Sequence, residues 1–196
     1  MSIPYAMNPL GVGGGGDIFI EFMNQWGGGE IQLKYHSPCP MPVYVGGVLV
    51  GELPAHESFS SAALSGVTGG FPAQTPIRIT MNSEAALSNG GYSGPDLWRN
   101  NVTFVRIRGY SPTSLADLFY NCRNLTQIDV IEEELTRWCV AGWRVFGDCD
   151  QLVFTPTARC WWENPIWTGN HEFVFRGCTS MPNYNDIPAS WGGGGN

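Results

Sequence analysis

The sequence predicts an α+β protein in which a small antiparallel β unit precedes a short solenoid of helix–turn–strand units. Three observations support this fold class. A phenylalanine–cysteine–leucine motif recurs at positions 119, 146 and 175 in the second half of the chain. The first half alternates short apolar segments with turns, and 26 glycines and 14 prolines among 196 residues disfavour long helices. Apolar residues make up 43% of the chain and aromatic residues 13%, which is enough to bury a core.

The region from residue 17 to residue 75 has the pattern of short strands joined by turns. We predict strands at 17–22 and at 31–35, the latter because apolar and polar residues alternate there with the period of two typical of a half-buried strand. Apolar triplets lie on both sides of Gly46-Gly47, a two-residue sequence typical of a β-hairpin turn. We therefore expect a small antiparallel β unit.

The region from residue 76 to residue 191 contains an internal repeat of the form Phe-x-x-Cys-x-x-Leu/Met. Its three copies place the motif on Phe119, Cys122 and Leu125, on Phe146, Cys149 and Leu152, and on Phe175, Cys178 and Met181. Two upstream segments that alternate like strands, 77–79 and 105–107, extend the period. A unit of this size cannot bury its own apolar face and must stack on its neighbours. We therefore expect the phenylalanine and the thiol of each unit to line a shared interior.

Each copy predicts a short helix that ends in a left-handed residue. In the first copy, the segment from Ser114 to Asp117 suits a helix start, and apolar residues from Leu115 to Cys122 recur at helical spacing. A strand is expected to follow at 125–130. The residue before each cysteine is of a type that tolerates the left-handed conformation that closes a helix: Asn121, Asp148 or Gly177.

These motifs resemble the BspA-like leucine-rich repeats, which carry the same Phe-x-x-Cys-x-x-Leu core and often end in a phrase of the type Ile-Pro-x-x-Trp. The chain contains such a phrase from Ile187 to Trp191. The resemblance covers residues 76–191 and departs from the family in having few, irregular units, with Pro182 where a strand should run. It implies a short leucine-rich-repeat solenoid. Because the family is known from bacterial surface adhesins and bacteriophage proteins, it implies recognition or structural assembly more than catalysis.

Composition argues against several classes of function. The net charge is -7, and Lys34 is the single lysine, so a general nucleic-acid binder is not expected. No apolar segment approaches the roughly 20 residues that span a bilayer, so we expect no membrane insertion. The first residues lack the pattern of an export signal. Cysteine and histidine never occur at zinc-site spacing, so we expect no metal and no other cofactor.

Candidates for catalysis are weak. We expect the motif cysteines to be structural thiols, because a small polarisable thiol packs well inside a stack. Whether Cys139 and Cys160 form a disulfide stays open. The glycines from Gly11 to Gly16 match a dinucleotide-binding fingerprint but do not follow a strand, and the acidic run 132–134 is more typical of a solvated turn than of paired catalytic carboxylates. We expect no enzymatic activity, and a carbohydrate-active enzyme is the least favoured alternative.

Tryptophan and arginine are concentrated between residues 137 and 167. Both are favoured anchors at interfaces, and flat indoles can stack on sugar rings. For any one of these tryptophans, burial in the core is favoured over exposure. Since adjacent side chains on a strand point to opposite faces, we expect one of the two consecutive tryptophans at 161–162 to face outward. The candidate binding surface comprises Trp161, Trp162, Trp167, Arg144 and Arg159.

The chain thus divides into a Gly/Pro-rich arm at 1–16, a β unit at 17–75, a solenoid at 76–191 and a glycine-rich tail at 192–196. Glycine runs do not pack by themselves, so we expect other chains to hold them. The expected function is that of a non-enzymatic bacteriophage virion protein, made in the host cytoplasm. It would assemble into the tail or its tip with other virion proteins and copies of itself, and contact a glycan or protein of the host surface. The alternative is a bacterial cell-surface adhesin that binds protein or glycan.

Overall fold

The computed structural model describes residues 18–25, 31–64, 71–88, 101–110 and 112–195. Within these ranges it contains nine strands: β1 (Ile18–Asn24), β2 (Ile31–Ser37), β3 (Met41–Val45), β4 (Val48–Leu53), β5 (His56–Leu64), β6 (Pro76–Met81), β7 (Ala86–Ser88), β8 (Val102–Arg108) and β9 (Gln127–Asp129). One α-helix, α1 (Glu132–Thr136), and two single-turn 3-10 helices (Tyr184–Asp186 and Ala189–Trp191) complete the elements. The arm at 1–16 lies outside the described residues.

The strands form two sheets. The larger has the order β4-β3-β6-β1-β8-β9, with all pairs antiparallel except β8 and β9, and the smaller has the order β5-β2-β7. Alternate residues of the central strands face the core, because successive side chains of a strand point to opposite faces. Phe22 on β1 and Ile77 and Ile79 on β6 are fully buried, and Val105 on β8 joins them.

The hairpin at Gly46-Gly47 is confirmed. It joins β3 to β4, and both glycines have positive φ (56° and 84°), as the tight turn requires. The register shifts between Val43 and Tyr44, which produces a bulge near the turn. The sequence signal was sufficient here because the turn geometry depends on the two glycines alone.

The opposite face of the large sheet carries a row of ion pairs across neighbouring strands. Arg78 contacts the carboxylate of Glu21 at 2.9 Å. Arg106 contacts both Glu21 (3.4 Å) and Asp129 (2.7 Å), and Arg108 contacts Asp129 at 2.6 Å. The buried Glu21 is thus paired from both sides, which a carboxylate in that position requires.

The upstream segments at 77–79 and 105–107 are not stacked repeats. They lie in β6 and β8, which pair antiparallel with opposite edges of β1. Their 28-residue spacing therefore reflects two neighbours of one central strand. The large sheet contains strands from the predicted β unit (17–75) and from the predicted solenoid region (76–191).

The repeat region forms three coils: coil 1 (residues 114–122), coil 2 (141–149) and coil 3 (170–178). Each consists of successive turns where a helix was predicted, and a strand follows only in the first copy, as β9. The predicted α+β leucine-rich-repeat solenoid of helix–turn–strand units is therefore wrong. The described residues form a mostly β protein with two sheets and one five-residue helix.

Backbone hydrogen bonding explains why the coils are not helical. In coil 1 the amides of Leu115, Asp117 and Phe119 donate to carbonyl groups of coil 2, at 2.9 to 3.0 Å, whereas an α-helix would bond them within the segment. Left-handed residues occur before each motif cysteine, as predicted: Asn121, Asp148 and Gly177. A second left-handed position precedes each of these by four residues, at Asp117, Arg144 and Phe173, and interrupts any helix.

The C-terminal glycines pack on their own chain, so the expectation that a glycine run does not pack by itself is wrong for residues 192–195. Gly194 donates to the carbonyl of Tyr184 (2.9 Å) and Gly195 to that of Ile187 (3.0 Å). A Cβ on Gly193 would lie 2.3 Å from the Ile187 carbonyl oxygen. The run packs because glycine lets two backbone segments approach this closely.

Candidate functional site

The motif phenylalanines form one column inside the three coils. The rings of Phe119 and Phe146 stack with centroids 5.4 Å apart, and those of Phe146 and Phe175 with centroids 5.6 Å apart. Trp191 continues the column at 6.5 Å from Phe175, whose amide donates to the Trp191 carbonyl at 2.9 Å. All four side chains are buried. The closing Trp191 is thus the fourth member of the column.

The motif thiols tie each coil to the one before it. Cys149 Sγ donates to the carbonyl of Phe119, and Cys178 Sγ to that of Phe146, each at 2.9 Å. Burial raises the pKa of the Cys178 thiol to about 12 and that of Cys149 well above its ordinary value. Both are therefore protonated donors at neutral pH and poor nucleophiles. The remaining motif residues are also buried: Cys122, Leu125, Leu152 and Met181.

All six cysteines are free, so Cys139 and Cys160 are not bonded to each other. The Cys139 thiol donates to the carbonyl of Ala141 at 3.1 Å, and burial raises its pKa to about 11. Burial also raises the pKa of Cys160, and nearby acidic residues add to the effect. Cys39 differs from the other five in being exposed.

Trp161 is fully buried beside the phenylalanine column. Its ring meets Phe146 edge-on at 5.8 Å and Phe175 at 5.3 Å. Trp167 stacks on Trp161 at 5.4 Å and donates through Nε1 to the carbonyl of Cys160 at 2.9 Å. These two tryptophans fill the interior, so neither offers a face to a ligand.

The acidic run at 132–134 begins α1, and each carboxylate holds a different neighbour. Glu132 accepts the Nε1–H of the buried Trp161 at 2.5 Å and the amide of Thr157 at 2.9 Å. Glu133 pairs with Arg159, and Glu134 accepts the amide of Gly109 at 3.1 Å. The run is therefore the first turn of a helix and not a turn between elements; Glu133 and Glu134 are exposed to solvent, and Glu132 is half-buried.

Arg144 joins coil 1 to coil 2. Its guanidinium pairs with Asp117 at 2.8 Å and lies over two rings, Trp143 at 3.6 Å and Tyr120 at 4.4 Å. Only 6% of Arg144 is exposed. Gly147 provides the space, because a Cβ there would lie 3.2 Å from the Tyr120 ring. Arg144 is therefore a contact between coils.

Of the predicted binding surface, Arg159 and Trp162 reach solvent. Arg159 is exposed and pairs with Glu133 at 2.5 Å, while Trp162 is half-buried and packs against the core. The structure therefore does not bring the five predicted residues together on one surface.

Several apolar side chains outside the predicted binding surface are exposed. Trp138 is 59% exposed, with the guanidinium of Arg137 5.4 Å from its ring. Phe173 is 38% exposed, with Arg176 5.3 Å from its ring. Two further apolar residues on β4 near the hairpin turn, Val48 and Leu49, are also exposed. Trp138 lay within the tryptophan-rich segment, but no local pattern separated it from its buried neighbours.

Among the described residues, no group of three histidine, cysteine or acidic side chains is placed to hold a metal ion. No helix in those same ranges has the length and apolar character to cross a membrane. No family model matches the sequence, and no curated protein or solved structure matches it.

Proposed function

We propose that this chain is a non-enzymatic structural protein of a bacteriophage virion, placed in the tail or its tip, that also contributes to recognition of the host surface. The observation that carries the proposal is the role of the repeated motif. Each of its phenylalanines is buried in the column, and two of its thiols bridge consecutive coils. The motif residues thus hold consecutive coils together. The resemblance of the motif to a family known from phage proteins and adhesins supports a structural or recognition role.

The chemistry of the polar groups supports a role without catalysis. The thiols of Cys149 and Cys178 have a raised pKa and donate to carbonyl groups. The carboxylate of Glu132 accepts the Nε1–H of the buried Trp161. A catalytic acid, base or nucleophile has to face a substrate, and these groups face the protein.

The exposed aromatic residues support a role in contacts with other molecules. Trp138 and Phe173 each lie against an arginine. A guanidinium near an exposed ring offers hydrogen-bond donors beside an apolar surface, and tryptophan and arginine are both enriched at the centres of protein interfaces. These two pairs are the side chains that we assign to contacts with host glycan or protein.

Mass spectrometry of gradient-purified virions tests the structural assignment. The expected result is that peptides of this chain co-purify with the other virion proteins in constant ratio through successive gradients. Particles that lack the chain would remove the assignment. Recovery of the chain in the bacterial envelope fraction would favour the surface adhesin instead.

Adsorption of virions to host cells tests the recognition role. Trp138→Ala removes an exposed ring and should slow adsorption without lowering the amount of chain in the particle. Val153→Ala is a matched control, because Val153 is 58% exposed and also lies in the repeat region. Equal adsorption rates for the two variants and the unmodified particle would exclude Trp138 as a contact.

A further inference from the structure

The face of the large sheet that is turned away from the core carries apolar and aromatic side chains, although the water-facing side of an antiparallel sheet is ordinarily polar. Phe19 and Met23 on β1, Tyr44 on β3 and Phe104 on β8 occupy outward positions and are half-buried. Leu49 on β4 lies opposite Tyr44 and is exposed. These five residues and the three arginines of the ion-pair row form what we name the outer sheet face: Phe19, Met23, Tyr44, Leu49, Phe104, Arg78, Arg106 and Arg108.

The arginines give the outer sheet face an excess of positive charge. Their side chains are between 24% and 36% exposed. Of their two acidic partners, Asp129 is about as accessible as the arginines, whereas the side chain of Glu21 is only 5% exposed. The charges that reach solvent are therefore three positive and one negative, on a chain whose net charge is -7.

The ion pairs hold the guanidinium groups in place without using all of their donors. Arg78 contacts one oxygen of Glu21 through Nε (3.0 Å) and Nη2 (2.9 Å), so its Nη1 group takes no part in that pair. The same guanidinium lies 4.2 Å from the centre of the Phe19 ring. Because arginine has five N–H donors in a rigid fork that suits two-point contact with a carboxylate, the face offers fixed donors beside apolar surface.

We infer that the outer sheet face is a docking surface for an acidic surface of another protein. Aromatic residues, methionine and arginine are enriched at protein interfaces and lysine is depleted, and Lys34, the single lysine, lies in the other sheet. The excess of positive charge selects a partner whose contact surface carries carboxylates. Since Trp138 and Phe173 lie outside both sheets, this surface is additional to the contacts assigned under the proposed function.

Binding of an acidic polypeptide to the isolated full chain tests the inference. The probe is a random copolymer of glutamate and tyrosine, which combines carboxylates with aromatic rings, and its affinity is measured by isothermal titration calorimetry. Because the chain as a whole is acidic, binding of this probe requires a local basic surface. The unmodified chain should bind, and the affinity should fall as the salt concentration rises, because salt screens exposed charges.

Arg78→Gln and Phe104→Ala should each weaken binding by about tenfold, as the loss of one well-placed interface side chain typically does. Arg123→Gln and Trp138→Ala are the matched controls and should bind as the unmodified chain does. Arg123 is an exposed arginine and Trp138 is an exposed ring beside an arginine, and both lie outside the sheets.

Arg78→Gln leaves the buried Glu21 with Arg106 as its remaining ion-pair partner, so the melting temperature of each variant is measured as well. Phe104→Ala leaves every ion pair of the face in place and keeps the test decisive if Arg78→Gln does not fold. The inference is overturned if the unmodified chain does not bind the copolymer, or if a folded face variant binds as tightly as its control. It is also overturned if polygalacturonate, a glycan with carboxylates, binds as tightly at equal carboxylate concentration. No virion enters these measurements, so their failure is distinguishable from failure of the proposed function.

Discussion

The rings of Phe119 and Phe146 are almost parallel, with an interplanar angle of 3°, although the two residues belong to different coils. The backbone sets this alignment, because the amide of Phe119 donates to the carbonyl of Val145 at 2.9 Å, immediately before Phe146. The parallel register of the coils thus places equivalent side chains on top of each other. Stability should therefore depend on the column as a unit.

Phe146→Ala should lower the free energy of unfolding by about 3–5 kcal/mol, as truncation of a buried aromatic residue typically does. The ring is fully buried between Phe119 and Phe175, so its loss leaves a cavity in the middle of the column. Denaturant titration measures the effect. Val153→Ala, at an exposed position, should change stability by about 0.5 kcal/mol or less. A loss below about 1 kcal/mol for Phe146→Ala would contradict the buried column.

Gly177→Val should lower the melting temperature. Gly177 has a φ of 76°, where a β-branched residue is strained at a cost of about 1–3 kcal/mol. Its added Cβ would also lie 2.9 Å from Asp148 Oδ1. Gly51→Val is the comparison, since a Cβ on Gly51 meets nothing within 4 Å. Equal melting temperatures for the two variants would show that residue 177 does not need the left-handed conformation.

A thiol reagent at pH 8 should modify one cysteine rapidly in the native protein. Cys39 is exposed, whereas the other five cysteines are buried. Burial raises the pKa of Cys139 to about 11 and that of Cys178 to about 12, so little thiolate forms at these positions. Spectrophotometric titration should count one fast thiol in buffer and six in denaturant. Cys39→Ser should abolish the fast phase, and a second fast thiol would contradict the burial of the other five cysteines.

Asp129→Asn should remove the part of the pH dependence of the free energy of unfolding that comes from the titration of this carboxylate. Burial alone would raise the pKa of Asp129, but hydrogen bonds and charge from Arg108 and Arg106 outweigh it and hold the pKa below its ordinary value. A carboxylate with a lowered pKa stabilises the fold above its unfolded pKa of about 3.9, and this contribution is lost as the pH falls through the folded pKa.

The Asp129→Asn variant should therefore be less stable than the unmodified chain at pH 7, by about 1 kcal/mol, and nearly equal to it at the acid end of the titration. Arg108→Gln should flatten the same part of the profile, because it removes one cause of the shift. A stability difference that stays constant down to the lowest pH would show that Asp129 is not held charged by its partners.

Two features followed directly from the sequence. The β3–β4 hairpin depends on two adjacent glycines, and the interior position of each motif phenylalanine follows from the repeat, because equivalent residues of stacked units share one environment. The helices predicted for the three coils are absent from the structure. Spacing of three and four residues also arises from successive turns, and the left-handed positions at Arg144 and Phe173 carry residue types that give no sign of that conformation.

The binding surface rested on the concentration of tryptophan and arginine, and only the expectation of one outward tryptophan rested on strand alternation at 161–162. Those residues lie in a turn, so neighbouring side chains need not point to opposite faces. Trp161 is held inside by Glu132, which is distant in sequence and belongs to another element. Such a contact between a carboxylate and an indole leaves no local pattern. Whether Trp138 is exposed likewise depends on contacts with segments distant in sequence, which no local pattern reveals.

The bridging between coils gives this part of the molecule an electrical polarity. Every second peptide unit of coil 2 points its carbonyl at coil 1 and its N–H at coil 3, from the pair 141–142 to the pair 147–148. Four peptide dipoles of about 3.5 D are thereby oriented the same way across one layer, as they are along a helix. Four peptide groups in a segment without a helix thus have their dipoles aligned across the coils and not along the chain.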